Sequence, residues 1–364
     1  MENKVMEFRP DYRHLVAAAQ NKKPARLPLY EHIISPKIME KILGLTFADS
    51  LEGDKIDVDY FFENYCRFFK EMTYDTVSFE VCIIPSLPNW GAIMGGRPGP
   101  IQSRKDFDAF PWDDIPRRFW DTAERQFAAL VKKLPAGMKA VGGVGNGVFE
   151  ISEDLVGFEY LPFMQADEPA LFEEIYARIG DLMYNIWNRF LKKYGQYFCV
   201  CRFGDDLGFK TGLLTSPTVF RKHIASQYGR IIKLVHDAGL PFLWHSCGNI
   251  FDVMDEVIAL GIDAKHSNED AVAPFETWIS RYGGHIGFFG GIDVDILCRN
   301  SPDEIYEIVL ERGRHYRTLA QGYALGSGNS IPDYIPVEGY LSMVKAVQKI
   351  RGEEKRNING DKYE

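Results

Sequence analysis

The chain has 364 residues and a formal net charge of −9, and 46% of its residues are hydrophobic. This length gives one large domain or two ordinary ones, with enough apolar residues for a substantial core. The sequence has no Lys/Arg-rich run and no run of about 18 apolar residues, which argues against a nucleic-acid-binding protein and a transmembrane protein.

The cysteines and the first residues indicate in which cellular compartment we expect the protein. The six cysteines form no CxxC pair and no dense framework, so we expect reduced thiols. The opening residues, Met1 to Phe8, lack the apolar centre of a signal peptide. We therefore predict a cytoplasmic protein that binds neither nucleic acid nor membrane, with a homodimer as the default assembly.

Short apolar segments alternate with helical patterns along the chain. The predicted strands cover residues 26–33, 75–82, 139–147, 197–206, 241–249, 263–270, 285–293 and 323–330. The predicted helices cover 1–25, much of 35–74, 115–134, 150–166, 168–194, a stretch opened by Ser216-Pro217, 250–260, 302–320 and 337–351. A loop rich in Pro and Gly, 85–100, carries Trp90 and is long enough to be functional.

Eight strands that alternate with helices predict a parallel sheet, and eight such units fit a closed (β/α)₈ barrel best. The sequence has no internal repeat and no linker rich in Pro and Ser that would divide it. We therefore predict an N-terminal lead-in over 1–25, a single barrel domain over 26–351, and a polar tail over 352–364.

The fifth predicted strand ends in His245-Ser246-Cys247-Gly248. Side chains alternate faces along a strand, so His245 and Cys247 share one face. A neutral imidazole and a thiolate are good zinc ligands. The alternative is a buried histidine beside an inert core cysteine, but the end of a barrel strand favours a site.

Polar side chains follow most of the predicted strands, at the end where barrel enzymes hold their active sites. These residues are Glu31, His32, Glu80, Asn146, Asp205, Asp206, Asn268, Glu269, Asp293, Ser327 and Asn329. Helix capping explains any one of them, so the prediction of a site depends on their convergence.

Several motifs resemble the uroporphyrinogen decarboxylase superfamily over nearly the whole chain. They are His245-Ser246-Cys247-Gly248, the block from Gly204-Asp205-Asp206 to Ser216-Pro217, Gly290-Gly291-Ile292-Asp293, and Gly328-Asn329-Ser330-Ile331-Pro332 followed by Pro336-Val337-Glu338. The resemblance implies a (β/α)₈ barrel. It also implies one of two activities, porphyrinogen decarboxylation or zinc-dependent methyl transfer with a corrinoid protein.

The decarboxylase branch carries an arginine-rich signature after its first strand, whereas this chain reads Tyr30-Glu31-His32-Ile33-Ile34-Ser35. An acidic pocket without those arginines repels a substrate with many carboxylates. The methyltransferase branch is closer, because His245 and Cys247 match two of its zinc ligands. Its third ligand is a cysteine, and Asn329 stands there instead. The resemblance leaves Glu80, Glu31, Asp206 and Asn329 open as third ligands.

A site with fewer thiolates makes zinc a stronger Lewis acid. We therefore predict a zinc-assisted methyltransferase that moves a methyl group from an aryl ether or methylamine to a corrinoid protein carrying cobalamin. Glu80 or Asp206 is predicted to supply the proton. The predicted substrate-binding residues are Glu31, His32, Trp90, Asn146, Asp205, Asn268 and Asn329. The alternatives are a decarboxylase, a metal-free lyase that uses Glu80 and Asp206, and a non-catalytic binder of small molecules.

Overall fold

A computed structural model describes residues 8–52 and 56–360 and contains nine strands. They are β1 (Thr76–Cys82), β2 (Lys139–Gly145), β3 (Phe198–Gly204), β4 (Gly208–Phe209), β5 (Gly212–Leu213), β6 (Phe242–His245), β7 (Ala264–His266), β8 (Gly287–Ile292) and β9 (Tyr323–Ser327). Seven of them form one sheet in the order β1-β2-β3-β6-β7-β8-β9, and β4 with β5 makes a short antiparallel hairpin.

Fifteen α-helices occur in the described part of the chain. They are α1 (Arg13–Ala19), α2 (Pro36–Leu43), α3 (Val58–Glu71), α4 (Arg104–Ala109), α5 (Ile115–Lys133), α6 (Val148–Val156), α7 (Leu161–Asp167), α8 (Pro169–Tyr194), α9 (Pro217–Val219), α10 (Ala225–Asp237), α11 (Phe251–Ala259), α12 (Phe275–Tyr282), α13 (Val294–Arg299), α14 (Pro302–Leu319) and α15 (Val337–Gly360). None of these helices is both long and apolar enough to cross a membrane.

The predicted barrel class is confirmed, and seven of the eight predicted strands are present as strands. The first, 26–33, is reduced to parallel bridges that join Leu29 to Leu325 and Ile34 to Ile331. Pro24 precedes this segment and Pro28 lies within it, and neither donates a backbone hydrogen bond, so a longer ladder is disfavoured there.

Helix starts follow the capping chemistry expected of Ser-Pro pairs. Ser216 accepts a hydrogen bond from the Val219 amide at the start of α9, and Ser301 with Glu304 forms a capping box at the start of α14. Both starts were predicted, and both are confirmed.

Two predicted helical stretches are interrupted, and each first helix stops at a glycine. Gly44 ends α2 in the left-handed region at φ 69°, and Gly157 ends α6 at φ 96°. The closing helix runs on to Gly360, past the predicted end at 351. Of the predicted lead-in and tail, residues 1–7 and 361–364 lie outside the described residues.

Close packing divides the chain into two compact units. Among the described residues, the first unit comprises 8–52, 56–78, 128–141 and 268–360, and the second comprises 79–127 and 142–267. In the second unit, β6 pairs in parallel with β3 and with β7. In the first unit, β8 pairs in parallel with β9. The predicted single domain over 26–351 stays a prediction.

Four aromatic residues of the strands lie in the core. Phe203, Trp244, Phe288 and Phe289 are each at most 1% exposed. Each buried aromatic ring removes a large apolar area from water, so these residues stabilise the fold.

Candidate functional site

The strand β6 ends at His245, and Cys247 lies two residues beyond it, next to the His245 ring. The Cys247 Sγ lies 3.5 Å from His245 Nε2, and only 5% of His245 is exposed. Burial lowers the pKa of His245 well below its usual value, and positive charge nearby on Arg202 and Lys265 adds to the effect. A neutral imidazole at this position can act as a ligand through Nε2.

Asp206 joins this pair from the residues that follow β3. Its Oδ1 accepts a hydrogen bond from the Cys247 amide at 2.9 Å and lies 3.8 Å from His245 Nε2. The ligand atoms of the three residues all lie within 4.8 Å of one another. The side chain of Asp206 is 44% exposed, so the group reaches solvent on one side.

His266 fixes the other edge of the His245 ring. The two Nδ1 atoms are 2.8 Å apart, and His266 is fully buried at the end of β7. With the shared proton on His245 Nδ1 and His266 Nδ1 as its acceptor, the neutral His245 ring is oriented by this hydrogen bond and presents the lone pair of Nε2 towards Cys247.

These distances fit a tetrahedral zinc site. Zinc–sulfur and zinc–nitrogen bonds of about 2.3 and 2.0 Å at a tetrahedral angle place the two donors about 3.5 Å apart. The observed separation of Cys247 Sγ and His245 Nε2 is 3.5 Å. The donor set of one imidazole, one thiolate and one carboxylate also leaves room for a fourth ligand, as catalytic zinc sites require.

Glu80, a predicted proton carrier, lies in a buried ion pair. Arg202 on β3 donates two hydrogen bonds to Glu80 Oε2, at 3.0 Å from Nε and 2.7 Å from Nη2. The two side chains are 0% and 8% exposed. Arg202 compensates the charge of Glu80, which suits a carboxylate that balances charge beside the site.

Asp205 caps α6, although it is distant from that helix in sequence. Its two oxygens accept hydrogen bonds from the amides of Phe149 and Glu150, and Tyr228 donates a third. Burial raises the pKa of Asp205 to about 6. A Cβ atom on Gly147 would lie 2.1 Å from the Asp205 carboxyl carbon, so this approach requires glycine. Asp205 therefore has a structural role as a helix cap, and its predicted contact with substrate stays a prediction.

The helix α6 brings two more carboxyl groups near these aspartates. Glu150 accepts a hydrogen bond from the Asn146 side chain at 2.9 Å and one from the Asp206 amide at 3.3 Å. Burial and the charges of Asp205 and Asp206 raise the pKa of Glu150 well above its usual value and that of Glu153 to about 8. Asn146 therefore lies among the acidic groups of the second unit, and its predicted role in substrate binding stays a prediction.

Glu31 and His32 lie in the first unit. Glu31 is 1% exposed and accepts hydrogen bonds from the Ser327 amide at 2.9 Å and from the Ser327 hydroxyl at 2.5 Å. Burial raises the pKa of Glu31 to about 8. His32 is buried, and its backbone carbonyl accepts a hydrogen bond from the Ser78 hydroxyl at 2.7 Å.

The raised pKa of Glu31 has a measurable consequence for stability. The folded protein keeps this proton between pH 4.5 and about 8, where the unfolded chain loses it. The free energy of unfolding should therefore fall as pH rises through that window, by at most about 1.4 kcal/mol per unit. The variant Glu31→Gln should flatten this fall in urea titrations. The exposed Glu307→Gln is the control, and an unchanged slope in Glu31→Gln would contradict the assignment.

The remaining predicted substrate-binding residues differ in their surroundings. Trp90 is 50% exposed in the loop between β1 and α4, and its carbonyl accepts a hydrogen bond from Arg97. Asn268 is buried, and its Oδ1 accepts a hydrogen bond from the Gly291 amide at 2.9 Å. Asn329 is half-buried just after β9. Their roles with substrate stay predictions.

Sequence reasoning did not identify Arg202, Glu150, His266 or Ser267 as part of this site. The position of Arg202 could have indicated its role, since a charged residue within an apolar strand requires a buried partner. His266 and Ser267 had a weaker signal, because they end a strand beside the one that carries His245.

Comparison with known proteins supports the fold. The family model for uroporphyrinogen decarboxylase (URO-D) matches residues 98–350. A methyltransferase from Methanosarcina mazei has a similar structure, with a TM-score of 0.72, 15% identity, and coverage of 92% of this chain and 97% of that one. That identity is too low to transfer an activity.

Two glycoside-cleaving enzymes align much more weakly. Xylanase B from Clostridium stercorarium F9 has a TM-score of 0.40 and 11% identity over 62% of this chain and 83% of its own. The glycoside hydrolase family 5 enzyme PbGH5A from Prevotella bryantii B14 has a TM-score of 0.44 and 11% identity over 92% and 97%. Neither alignment informs the function.

No curated protein matches the sequence. The family match spans well over half of the 364 residues. The motifs around His245, Asp205 and Gly290 that suggested the resemblance lie inside the matched region. The chain belongs to the uroporphyrinogen decarboxylase family.

Proposed function

We propose that this protein is a zinc-dependent methyltransferase that takes a methyl group from a small methylated amine or aryl ether and passes it to a corrinoid protein. One observation carries the proposal: the ligand atoms of His245, Cys247 and Asp206 lie within 4.8 Å of one another. The likeness of the fold to a methyltransferase is consistent with it.

The three residues have complementary tasks in this proposal. His245 stays neutral because it is buried, and its ring is oriented by His266, so Nε2 is available as a ligand. Cys247 supplies the single thiolate. Asp206 supplies a carboxylate oxygen and, through its bond to the Cys247 amide, fixes the turn after β6. Bound zinc would supply Lewis acidity that weakens the bond between the methyl group and its heteroatom.

The acidic residues around this cluster suit the charge changes of the reaction. When the methyl group leaves, the heteroatom of the substrate gains electron density and needs a proton. Because Asp206 is a metal ligand in this proposal, the proton comes from solvent, which reaches the site where the Asp206 side chain is 44% exposed. Glu80 is held by Arg202, and we assign it the role of balancing charge beside the site.

The experiment combines metal analysis with a transfer assay. Protein purified without added metal should contain close to one equivalent of zinc. With a reduced corrinoid protein as acceptor, it should consume a methylated amine or an aryl methyl ether and produce methyl-cobalt, which is visible by absorption. Decarboxylation of a porphyrinogen by the metal-free protein, with no methyl transfer to any acceptor, would overturn the proposal in favour of a lyase.

A further inference from the structure

The Ser267 hydroxyl lies beside the sulfur of Cys247. The Oγ atom is 3.6 Å from Cys247 Sγ, and only 5% of Ser267 is exposed. Over residues 8–52 and 56–360, this sulfur is the one hydrogen-bonding partner that the structure gives the Ser267 hydroxyl. Buried hydroxyl groups normally donate a hydrogen bond, and the acceptor within reach of Ser267 Oγ is the Cys247 sulfur.

Lys265 holds the backbone on both sides of this contact. It is 1% exposed on β7, and its ammonium group donates hydrogen bonds to the carbonyl of Ser267 and, at 3.5 Å, to that of Ser246. Ser246 precedes Cys247, so one buried cation ties together the two chain segments that present the hydroxyl and the sulfur. The register of β6 and β7 also holds the two segments together, because His245 is paired with His266 just before them.

We propose that Ser267 is a positioning residue that donates a hydrogen bond to the Cys247 thiolate and sets how strongly that sulfur donates charge to a bound metal. The inference rests on the zinc site of the proposed function. Hydrogen bonds to metal-bound sulfur withdraw electron density from it and tune the metal. Because the ligand set has a single thiolate, this hydrogen bond weakens all of the electron donation from sulfur to the metal. It therefore keeps the metal a strong Lewis acid.

Cobalt(II) substituted for zinc gives a direct readout, because it shows a sulfur-to-cobalt charge-transfer band. In Ser267→Ala the sulfur becomes a better donor, so the band should move to lower energy. In Ser267→Thr, which keeps the hydroxyl, it should stay at the wild-type position. The matched control is Ser246→Ala: this neighbouring buried hydroxyl accepts from the Leu207 amide, and its loss should leave the band unmoved.

The outcomes separate this inference from the function on which it rests. A band that is identical in Ser267→Ala and wild type, with the far-ultraviolet circular dichroism unchanged, would overturn the role of Ser267 alone. A wild-type cobalt protein with no charge-transfer band would overturn both proposals, because Cys247 would then not bind the metal. Metal affinity, measured by competition with a chelator, should change by less than about 100-fold in Ser267→Ala, since no ligand is removed.

Discussion

Replacing Cys247 with alanine is expected to abolish methyl transfer and to weaken zinc binding by more than about 100-fold, beyond the usual effect of changing a residue that only supports a ligand. The variant removes the single thiolate of the proposed ligand set. It leaves two ligands, His245 and Asp206, whose Nε2 and Oδ1 atoms are 3.8 Å apart. Zinc content by mass spectrometry and chelator competition measure the first effect, and the corrinoid absorption assay measures the second.

Cys298 provides the control for this variant. It lies on α13, is half-buried, and does not belong to the group formed by His245, Cys247 and Asp206. Cys298→Ala should retain both zinc and methyl transfer. If Cys247→Ala kept its zinc and its activity, the metal site and the mechanism built on it would have to be abandoned.

Replacing Arg202 with methionine is expected to destabilise the protein by about 3–5 kcal/mol, because Glu80 would be left as a buried carboxylate without its partner. Arg202 is fully buried and Glu80 is 8% exposed by side chain, so water can replace little of the lost interaction. Urea unfolding at pH 7 measures the loss. The double variant Glu80→Leu with Arg202→Met should recover much of it, since neither charge then remains buried.

An exposed ion pair gives the matched comparison. Arg221 pairs with Glu256 at 2.7 Å, with side chains that are 53% and 38% exposed. Arg221→Met should cost at most about 1 kcal/mol. Equal and small losses for Arg202→Met and Arg221→Met would show that the buried pair does not support this region of the barrel.

Much of the fold was predictable because its signals are local. A strand such as β3 is a continuous apolar run, and a helix start such as Ser301-Pro302 depends on three or four neighbouring residues. The first strand failed because it is a short segment between prolines that makes only two bridges. The helices α12 and α13 were missed because each is eight residues or fewer, which gives little periodicity to detect.

The site was predictable only in part, because its geometry depends on contacts between distant residues. Period-two alternation predicts that His245 and Cys247 share a face, but β6 ends at His245 and Cys247 lies in the turn that follows. Nothing local indicates that Asp206 reaches the Cys247 amide or that Asp205 caps α6. The sequence left four residues open as a third ligand. The structure favours Asp206, because β3 and β6 are neighbours in register, with Gly204 paired to His245.

The central claim is that one imidazole, one thiolate and one carboxylate of this chain bind zinc. Zinc X-ray absorption on the purified protein tests it most directly. We predict zinc bound to one sulfur at about 2.3 Å and to about three nitrogen or oxygen atoms at about 2.0–2.2 Å, and loss of the sulfur signal in Cys247→Ala. A zinc shell without sulfur in the wild-type protein, or one with two or more sulfurs, would contradict it.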